Sequence, residues 1–218
     1  LQALAFLGWP LSALATALDV SVQAVASYRL RPTVSARTAR AVREVLDVWS
    51  AESPSPLLVG DSAGAQIALS ANLLLAEQKQ QVPLAVLISP PIDVQMANPE
   101  AAAVQEMDPW LCREGLLVFS EKWLAPHSFD HPALNPVNAS PKGLGPLLIF
   151  SGTRDILNPD TRDFVAKARA QGVQVEYHEG PELVHVYPLT PTPEGKAARA
   201  RIVQAVSAAA HGEEPLTP

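Results

Sequence analysis

Residues 56–64 read Pro-Leu-Leu-Val-Gly-Asp-Ser-Ala-Gly and carry the strongest structural signal of the chain. The apolar run 56–59 is typical of a buried strand, and the residues from Gln66 onward have the composition of a helix. The Gly-x-Ser-x-Gly turn between them has small residues beside Ser62, which permit a tight and strained backbone. Strand, turn and helix in this order predict a nucleophile elbow that projects the Ser62 hydroxyl above a sheet. A turn that only caps the helix is the alternative interpretation.

A nucleophilic serine needs a base, and the base needs an acid that orients it. In this type of fold the acid follows the serine along the chain and the base comes last. A second buried-strand pattern, residues 147–150, is followed by Ser-Gly-Thr-Arg-Asp and places Asp155 at the end of a strand. The alternating segment 173–177 leads to His185, in the loop before the last predicted helix. We therefore predict Asp155 as the acid and His185 as the base for Ser62.

Both assignments have alternatives. Asp155 could cap the helix that follows it, but its place after a core strand favours the catalytic role, and Asp160 is the better candidate for the N-cap. Other histidines of such a chain are more often surface or packed residues than catalysts. They are His127, His131, His178 and His211.

Composition predicts a soluble domain and excludes several other classes of function. With 48% hydrophobic residues there is ample material for a core, and the net charge of −6 argues against a nucleic-acid partner. The single Cys112 allows no intramolecular disulfide, and no ligand spacing predicts a metal site. No apolar run approaches the roughly 18 residues of a membrane span, and the first residues lack the features of a signal peptide. We expect no cofactor, no metal and, by default, a cytoplasmic location.

Strand-like and helix-like segments alternate in the manner of an α/β fold, a mostly parallel sheet with helices on both faces. We predict a single domain over residues 1–218 with a frayed tail at about 211–218. A packing helix is predicted over 35–49 ahead of the elbow. Further along, the elbow helix is predicted to about Lys79, a strand over 83–88, and the last two helices over 160–170 and 193–209.

A long segment without strand alternation, about 94–142, predicts a helical lid inserted in the sheet connection, with helices at about 101–107 and 114–124. Its large apolar residues could form an acyl or alcohol pocket over Ser62. They could equally pack the lid onto the body of the domain, which is at least as favoured for each residue taken separately. The candidates for substrate binding, including residues beside the predicted serine and histidine, are Asp61, Met107, Trp110, Leu111, Phe119, Val184 and Val186.

These motifs together resemble the hormone-sensitive-lipase-like branch of the α/β hydrolases, over nearly all of the chain to about Val206. The resemblance rests on Tyr-Arg-Leu-Arg-Pro at 28–32, the Gly-Asp-Ser-Ala-Gly elbow, Ser-Pro-Pro-Ile-Asp at 89–93, Gly-Thr-Arg-Asp at 152–155, and His185. It implies a carboxylic ester hydrolase with Ser62, Asp155 and His185 as its triad. It also implies that Asp93 is a structural acid.

The resemblance further implies a His-Gly-Gly-Gly segment upstream of Tyr28, whose N–H groups form half of the oxyanion hole, and the sequence contains no such segment. The backbone N–H of Ala63 is then the one assignable oxyanion donor. Loss of one such donor typically costs about 10²–10³ in rate. We therefore expect an N-terminally truncated chain whose first strands are missing. Between the strand-like segment 22–26 and the strand before Ser62, the sheet would then have a gap or its strands would pair anew.

The chemistry that these residues predict is acyl transfer to Ser62 from a small-molecule ester, followed by hydrolysis of the acyl-enzyme. The alternative is a catalytically impaired or inactive fragment, or a ligand-binding protein on the same fold, which the absent oxyanion segment favours. Peptidase or thioesterase activity on the same triad also stays open, because a triad fixes the acyl chemistry and not the leaving group. The oligomeric state is not predicted.

Overall fold

Parallel strands and connecting helices alternate through residues 57–124, 128–132 and 134–216, which are the residues described by a computed structural model of the chain. The strands are β1 (Leu58–Asp61), β2 (Ala85–Ile88), β3 (Leu147–Gly152) and β4 (Val175–Gly180). The helices are α1 (Ala63–Glu77), α2 (Glu100–Gln105), α3 (Arg113–Leu124), α4 (Asn158–Ala170) and α5 (Pro193–Ala210). Short 3₁₀ turns occupy Pro136–Asn138 and Tyr187–Leu189.

The four described strands form one sheet in the order β1-β2-β3-β4, and every neighbouring pair is parallel. Asp61 at the end of β1 lies opposite Ile88, and Ile88 lies opposite Phe150. The carboxyl ends of the strands therefore meet at one edge of the sheet. In open parallel sheets this edge is where ligands bind.

The helices cover both faces of the sheet, as the sequence predicts. Alternate strand residues point to opposite faces, so each face builds its own core. One core joins Leu87 and Ile149 to α1 and α4, and the other joins Val86 and Leu148 to α5. Phe150, in the second core, is 1% exposed. The loop that carries Asp155 thus follows β3, a strand whose residues are all buried.

The insertion, residues 94–142, contains helices α2 and α3 and no strand among its described residues. A buried side-chain network joins its two ends. The Asp93 carboxylate accepts hydrogen bonds from the backbone N–H groups of Gln95 and Ala97 and from the Asn135 side-chain amide. Asn135 in turn accepts from the N–H of Val94. These contacts support the structural role that the resemblance implies for Asp93.

The end of the chain differs from the sequence prediction. We expected a frayed tail from about residue 211, but Leu216 is 4% exposed and belongs to the core under α5. The chain reverses at Gly212, where φ is 73° and glycine is the residue that adopts this conformation without strain. Beyond it the carbonyl of Pro215 accepts a hydrogen bond from Arg201 of α5. Apolar burial and this contact hold residues 213–216 in place.

Several predictions fall on residues that lie outside the described part. They are the helix at 35–49, the strand-like segment 22–26, the Tyr-Arg-Leu-Arg-Pro segment at 28–32, and the sheet gap that depends on them. His127 also lies outside the described residues. The prediction of a single domain over 1–218 therefore stays a prediction.

Candidate active site

The turn between β1 and α1 holds Ser62 in a strained conformation. Its φ is 49° and its ψ is −124°, a region that residues with side chains rarely occupy. The Ser62 N–H donates to the carbonyl of Ile88 at 2.8 Å, which fixes the turn to the end of β2. A Cβ on Gly60 would lie 2.4 Å from the carbonyl of Gly64, so the close backbone approach within the turn requires glycine at position 60.

The N–H of Ala63 is available at the start of α1. The N–H groups of Ala65 and Gln66 both donate to the carbonyl of Ser62, whereas no described residue accepts from the N–H of Ala63. Ala63 is exposed and Ser62 is half-buried. This donor can therefore reach a group that approaches the serine, as an oxyanion donor must.

A continuous chain of hydrogen bonds links the three predicted triad residues. His185 Nε2 lies 3.0 Å from Ser62 Oγ, and His185 Nδ1 lies 2.9 Å from Asp155 Oδ2. Asp155 is fully buried, and its other carboxylate oxygen accepts the N–H of Leu157 at 3.0 Å. Because Nδ1 donates to the carboxylate, the imidazole tautomer leaves Nε2 free to accept the serine proton.

The loops that carry Asp155 and His185 are packed directly against each other. The N–H of Arg154 donates to the carbonyl of Leu183 at 3.0 Å. A Cβ on Gly152 would lie 2.2 Å from that same carbonyl oxygen, so the contact depends on glycine at position 152. The acid and the base are consequently positioned together and not by independent loops.

The other described histidines have different surroundings. His178 Nε2 lies 2.7 Å from Glu176, and its ring stacks on Phe150 with 4.8 Å between the ring centroids. His211 Nδ1 donates to the carbonyl of Ser207 at the end of α5. His131 lies in the insertion and is exposed. Among the described histidines, His185 is the one with a hydrogen bond to Ser62.

Two acidic side chains near the site have raised pKa values. Burial raises the pKa of the Asp61 carboxyl, against the opposing effects of a backbone hydrogen bond and of the charge of His185. Burial also raises the pKa of Asp160 to about 6; a hydrogen bond from Asn98 opposes this shift, and the nearby carboxylates of Asp93 and Asp163 add to it.

Asp160 is not the N-cap of α4, which corrects the sequence prediction. The helix begins two residues earlier, at Asn158, with Leu157 at the cap position. Pro159 at the second helical position explains the earlier start, since the fixed φ of proline suits the first turn of a helix. The carboxylate of Asp160 lies instead within that first turn, where Asn98 donates to its Oδ1 and no described group donates to its Oδ2.

The candidates for substrate binding are spread over different environments. Met107, Trp110 and Phe119 are exposed, by 46%, 56% and 74%, so these side chains do not close a pocket within the described residues. Leu111 packs with Ile156 in a small core under the insertion. The remaining candidates, Asp61, Val184 and Val186, are half-buried beside the serine or the histidine. Their roles in substrate binding stay predictions.

No group of three or more His, Cys, Asp or Glu side chains in the described part of the chain is placed to hold a metal ion. None of its helices is both long enough and apolar enough to cross a membrane.

Two residues to which the sequence assigned no role contact the loops of the predicted triad. The Ser89 hydroxyl accepts the N–H of Val186, next to His185, and the Asp108 carboxylate accepts the N–H of Ile156, next to Asp155. Asp108 precedes a proline, a sequence that favours a turn stabilised by the aspartate side chain. That signal predicts a local turn but does not reveal a contact 48 residues away.

The chain is similar to known hydrolases over most of its length. Residues 10–189 match the profile of a family described as alpha/beta hydrolase fold. The chain is 33% identical over 131 residues to an acetyl-hydrolase of Streptomyces hygroscopicus, covering 60% of this chain and 44% of the relative. It is 28% identical over 145 residues to an esterase of Acinetobacter venetianus, covering 63% and 48%. The chain therefore spans about half the length of these curated relatives.

A solved structure shows the same similarity in three dimensions. It is described as an esterase from the bacterial hormone-sensitive lipase family, and it superimposes on this chain with a TM-score of 0.67 at 30% identity. The superposition covers 76% of this chain and 57% of that one.

Proposed function

This chain belongs to the α/β hydrolase family, in its hormone-sensitive-lipase-like branch, and we propose that it hydrolyses carboxylic esters with Ser62 as nucleophile. The observation that carries the proposal is the chain of contacts from Ser62 Oγ through His185 to the buried Asp155, at 3.0 and 2.9 Å. A strained serine, an imidazole within hydrogen-bonding distance and a carboxylate behind it are the parts that acyl transfer requires.

In the first half of the reaction, Ser62 Oγ attacks the ester carbonyl carbon while His185 Nε2 takes the serine proton. The carbonyl oxygen becomes an oxyanion, and the N–H of Ala63 is the described donor that would stabilise it. When the tetrahedral intermediate collapses, the bond to the alcohol oxygen breaks and His185 returns the proton to that oxygen. The alcohol leaves, and the acyl group remains on Ser62.

In the second half, a water molecule replaces the alcohol. His185 Nε2 takes a proton from the water as its oxygen attacks the acyl carbon, and the second intermediate collapses to release the carboxylic acid and restore Ser62. Asp155 keeps the imidazole in the required tautomer and stabilises its protonated form in both halves.

We propose small or medium uncharged esters as the substrate class. The net charge of −6 disfavours anionic substrates, since a like-charged surface repels them. The names of the two curated relatives, acetyl-hydrolase and esterase, agree with this class. The hydrogen-bonding distances within the triad argue against a catalytically inactive ligand-binding protein. A binding role would not require Asp155, His185 and Ser62 to be aligned for proton transfer.

The test is hydrolysis of p-nitrophenyl esters with acyl chains of two to twelve carbons, by the parent chain, Ser62→Ala, Asp155→Asn and Ser207→Ala. Ser207 is an exposed serine of α5 and serves as the matched control. We expect turnover that is lost in Ser62→Ala, unchanged in Ser207→Ala, and lowered by about 10⁴ in kcat by Asp155→Asn. Turnover by Ser62→Ala at the parent rate would refute the proposal.

A further inference from the structure

The carboxylate of Asp108 binds three backbone N–H groups that belong to two different segments. Its Oδ1 accepts from Trp110 at 2.8 Å and from Leu111 at 3.0 Å, which closes a turn ahead of α3. Its Oδ2 accepts from the N–H of Ile156 at 2.8 Å, in the loop that follows β3. One side chain therefore shapes the insertion and also holds the loop that contains Asp155.

Two consecutive residues of the insertion hold the residues on either side of Asp155. Asp108 binds the N–H of Ile156, and the carbonyl of Met107 accepts a hydrogen bond from Arg154 Nε at 3.2 Å. The side chain of Ile156 is fully buried in the small core shared with the insertion. The loop is thus fixed by two polar contacts and one apolar contact.

The orientation of the Asp155 carboxylate depends on this loop. Its Oδ1 accepts the N–H of Leu157, the residue directly after Ile156, and its Oδ2 faces His185. A shift in the backbone at Ile156 would carry the Leu157 N–H and the carboxylate with it. Misplacement of a catalytic group by about 1 Å can cost 10²-fold in rate.

We propose that Asp108 is a positioning residue for the triad acid, which it keeps aligned with His185 through its bond to the Ile156 N–H. The proposal rests on the proposed function, because alignment of Asp155 matters only if the triad is catalytic. With this role for Asp108, the active site extends into the insertion. Met107 and Asp108 then serve the reaction by holding the acid loop and not by contacting the substrate.

Asp108→Asn isolates the contact with the acid loop. Asparagine has one acceptor oxygen, which can retain the turn to Trp110 and Leu111. Its amide nitrogen would then face the N–H of Ile156, donor against donor. The matched control is Glu106→Gln, which removes the same charge two residues away at an exposed side chain with no hydrogen bond to the described residues.

The measurement is the second-order rate constant for labelling of Ser62 by a fluorophosphonate, in the parent chain and in an Asp155→Asn background. We expect Asp108→Asn to lower this constant about tenfold or more in the parent, and Glu106→Gln to leave it within about twofold. In the Asp155→Asn background we expect Asp108→Asn to have less than about a twofold effect. Residues that act through one another are non-additive in this way, whereas a general loss of structure would lower both constants equally.

Two labelling results would overturn the proposal. One is an Asp108→Asn constant equal to that of the parent, and the other is an equal factor of loss in both backgrounds. If Asp108→Asn lacks the cooperative unfolding of the parent, Asp108→Ser takes its place. The serine hydroxyl can serve the turn but is too short to reach Ile156, and its outcomes are judged in the same way.

Hydrogen exchange of the peptide spanning residues 153–158 separates this proposal from the proposed function. We expect the Ile156 amide to exchange at least about tenfold faster in Asp108→Asn and at the parent rate in Glu106→Gln. A parent chain that takes no label would refute the proposed function by itself. The role of Asp108 would then be judged from hydrogen exchange alone. Faster exchange of the Ile156 amide in Asp108→Asn but not in Glu106→Gln supports the role of Asp108 in holding the loop, and unchanged exchange overturns it.

Discussion

The hydroxyl oxygen of Ser89 accepts a hydrogen bond from the backbone N–H of Val186 at 2.9 Å. Ser89 is fully buried at the end of β2, and Val186 directly follows His185. Both residues have positive φ, 48° for Ser89 and 47° for Val186, as does Ser62. Strained backbone of this kind concentrates at functional sites, where surrounding contacts hold it in place. The contact therefore anchors the histidine loop to the centre of the sheet.

Replacing Ser89 by alanine removes this anchor. We expect Ser89→Ala to lower the free energy of unfolding by about 1–3 kcal/mol, because the N–H of Val186 is left without a partner, and to lower the hydrolysis rate. The control is Ser70→Ala, which deletes a buried hydroxyl that has no described partner and should be neutral or stabilising. Denaturant unfolding and ester hydrolysis measure both effects. Equal stability and equal rates in the two variants would contradict the anchoring role.

The close approach of the acid and histidine loops gives a second prediction. Gly152→Ala would place a methyl carbon 2.2 Å from the Leu183 carbonyl oxygen, so the histidine loop must move away. We expect a loss of activity of about 10²-fold together with a lower melting temperature. The control is Gly172→Ala, where φ is 82° and nothing lies within 4 Å of the added methyl group.

At position 172 the added methyl meets no atom, and only the strain of a positive φ remains, which costs about 1–2 kcal/mol. Gly172→Ala should therefore lose stability and keep its activity. A Gly152→Ala variant with parent kcat would show that the loops do not need to touch.

His178 in β4 and His185 in the loop after it are predicted to differ sharply in their contribution to activity. His185→Ala should lower kcat by about 10⁴ or more, since it removes the base that contacts Ser62. His178→Ala should stay within a few-fold of the parent, because His178 contacts Glu176 and Phe150 and its side chain is 40% exposed. Ester hydrolysis by the two variants at saturating substrate tests the choice. If His178→Ala were the more damaging change, the base would be misassigned.

The buried carboxyl of Asp160 predicts a dependence of stability on pH. Its folded pKa of about 6 lies above the usual value of 3.8, so the folded protein holds a proton between these values that the unfolded chain releases. Stability therefore falls as pH rises through this window, and the cost is complete above about pH 6. At about 1.4 kcal/mol per pKa unit, the ionised carboxyl costs about 2–3 kcal/mol at pH 7.5.

Asp160→Asn removes this cost. We expect it to raise the free energy of unfolding by about 2–3 kcal/mol at pH 7.5 and by about half as much at pH 5. The exposed Asp130, changed to asparagine, is the control and should show no comparable gain at either pH. Denaturant unfolding at the two pH values measures the difference. A gain that grew as the pH fell would have the wrong sign for this explanation.

Much of the sheet could be predicted from the sequence because buried parallel strands appear as short apolar runs. Two of these runs are followed closely by Ser62 and Asp155. Residues 151–154 separate Asp155 from the apolar run 147–150, and this short spacing places the acid near the end of the strand. His185 could be chosen because the order of acid and base along the chain is fixed by the fold. Local patterns and chain order were sufficient for these two residues.

The contacts of Ser89 and Asp108 could not be predicted in the same way. Each joins a side chain to a backbone N–H that is 97 or 48 residues away, and no local spacing encodes such a pair. The burial of Leu216 was missed for a related reason, since a short polar tail gives no sign that one apolar residue will fold back onto α5. Tertiary packing decided these features.

The role of Ser62 as an activated nucleophile is tested most directly by intact-mass detection of fluorophosphonate labelling on this chain, with Ser62→Ala beside it. Labelling requires an activated serine and no knowledge of the substrate. We expect one adduct on the parent chain and none on Ser62→Ala. A folded parent chain without an adduct, or an adduct that persists in Ser62→Ala, would contradict the claim that Ser62, His185 and Asp155 form a working triad.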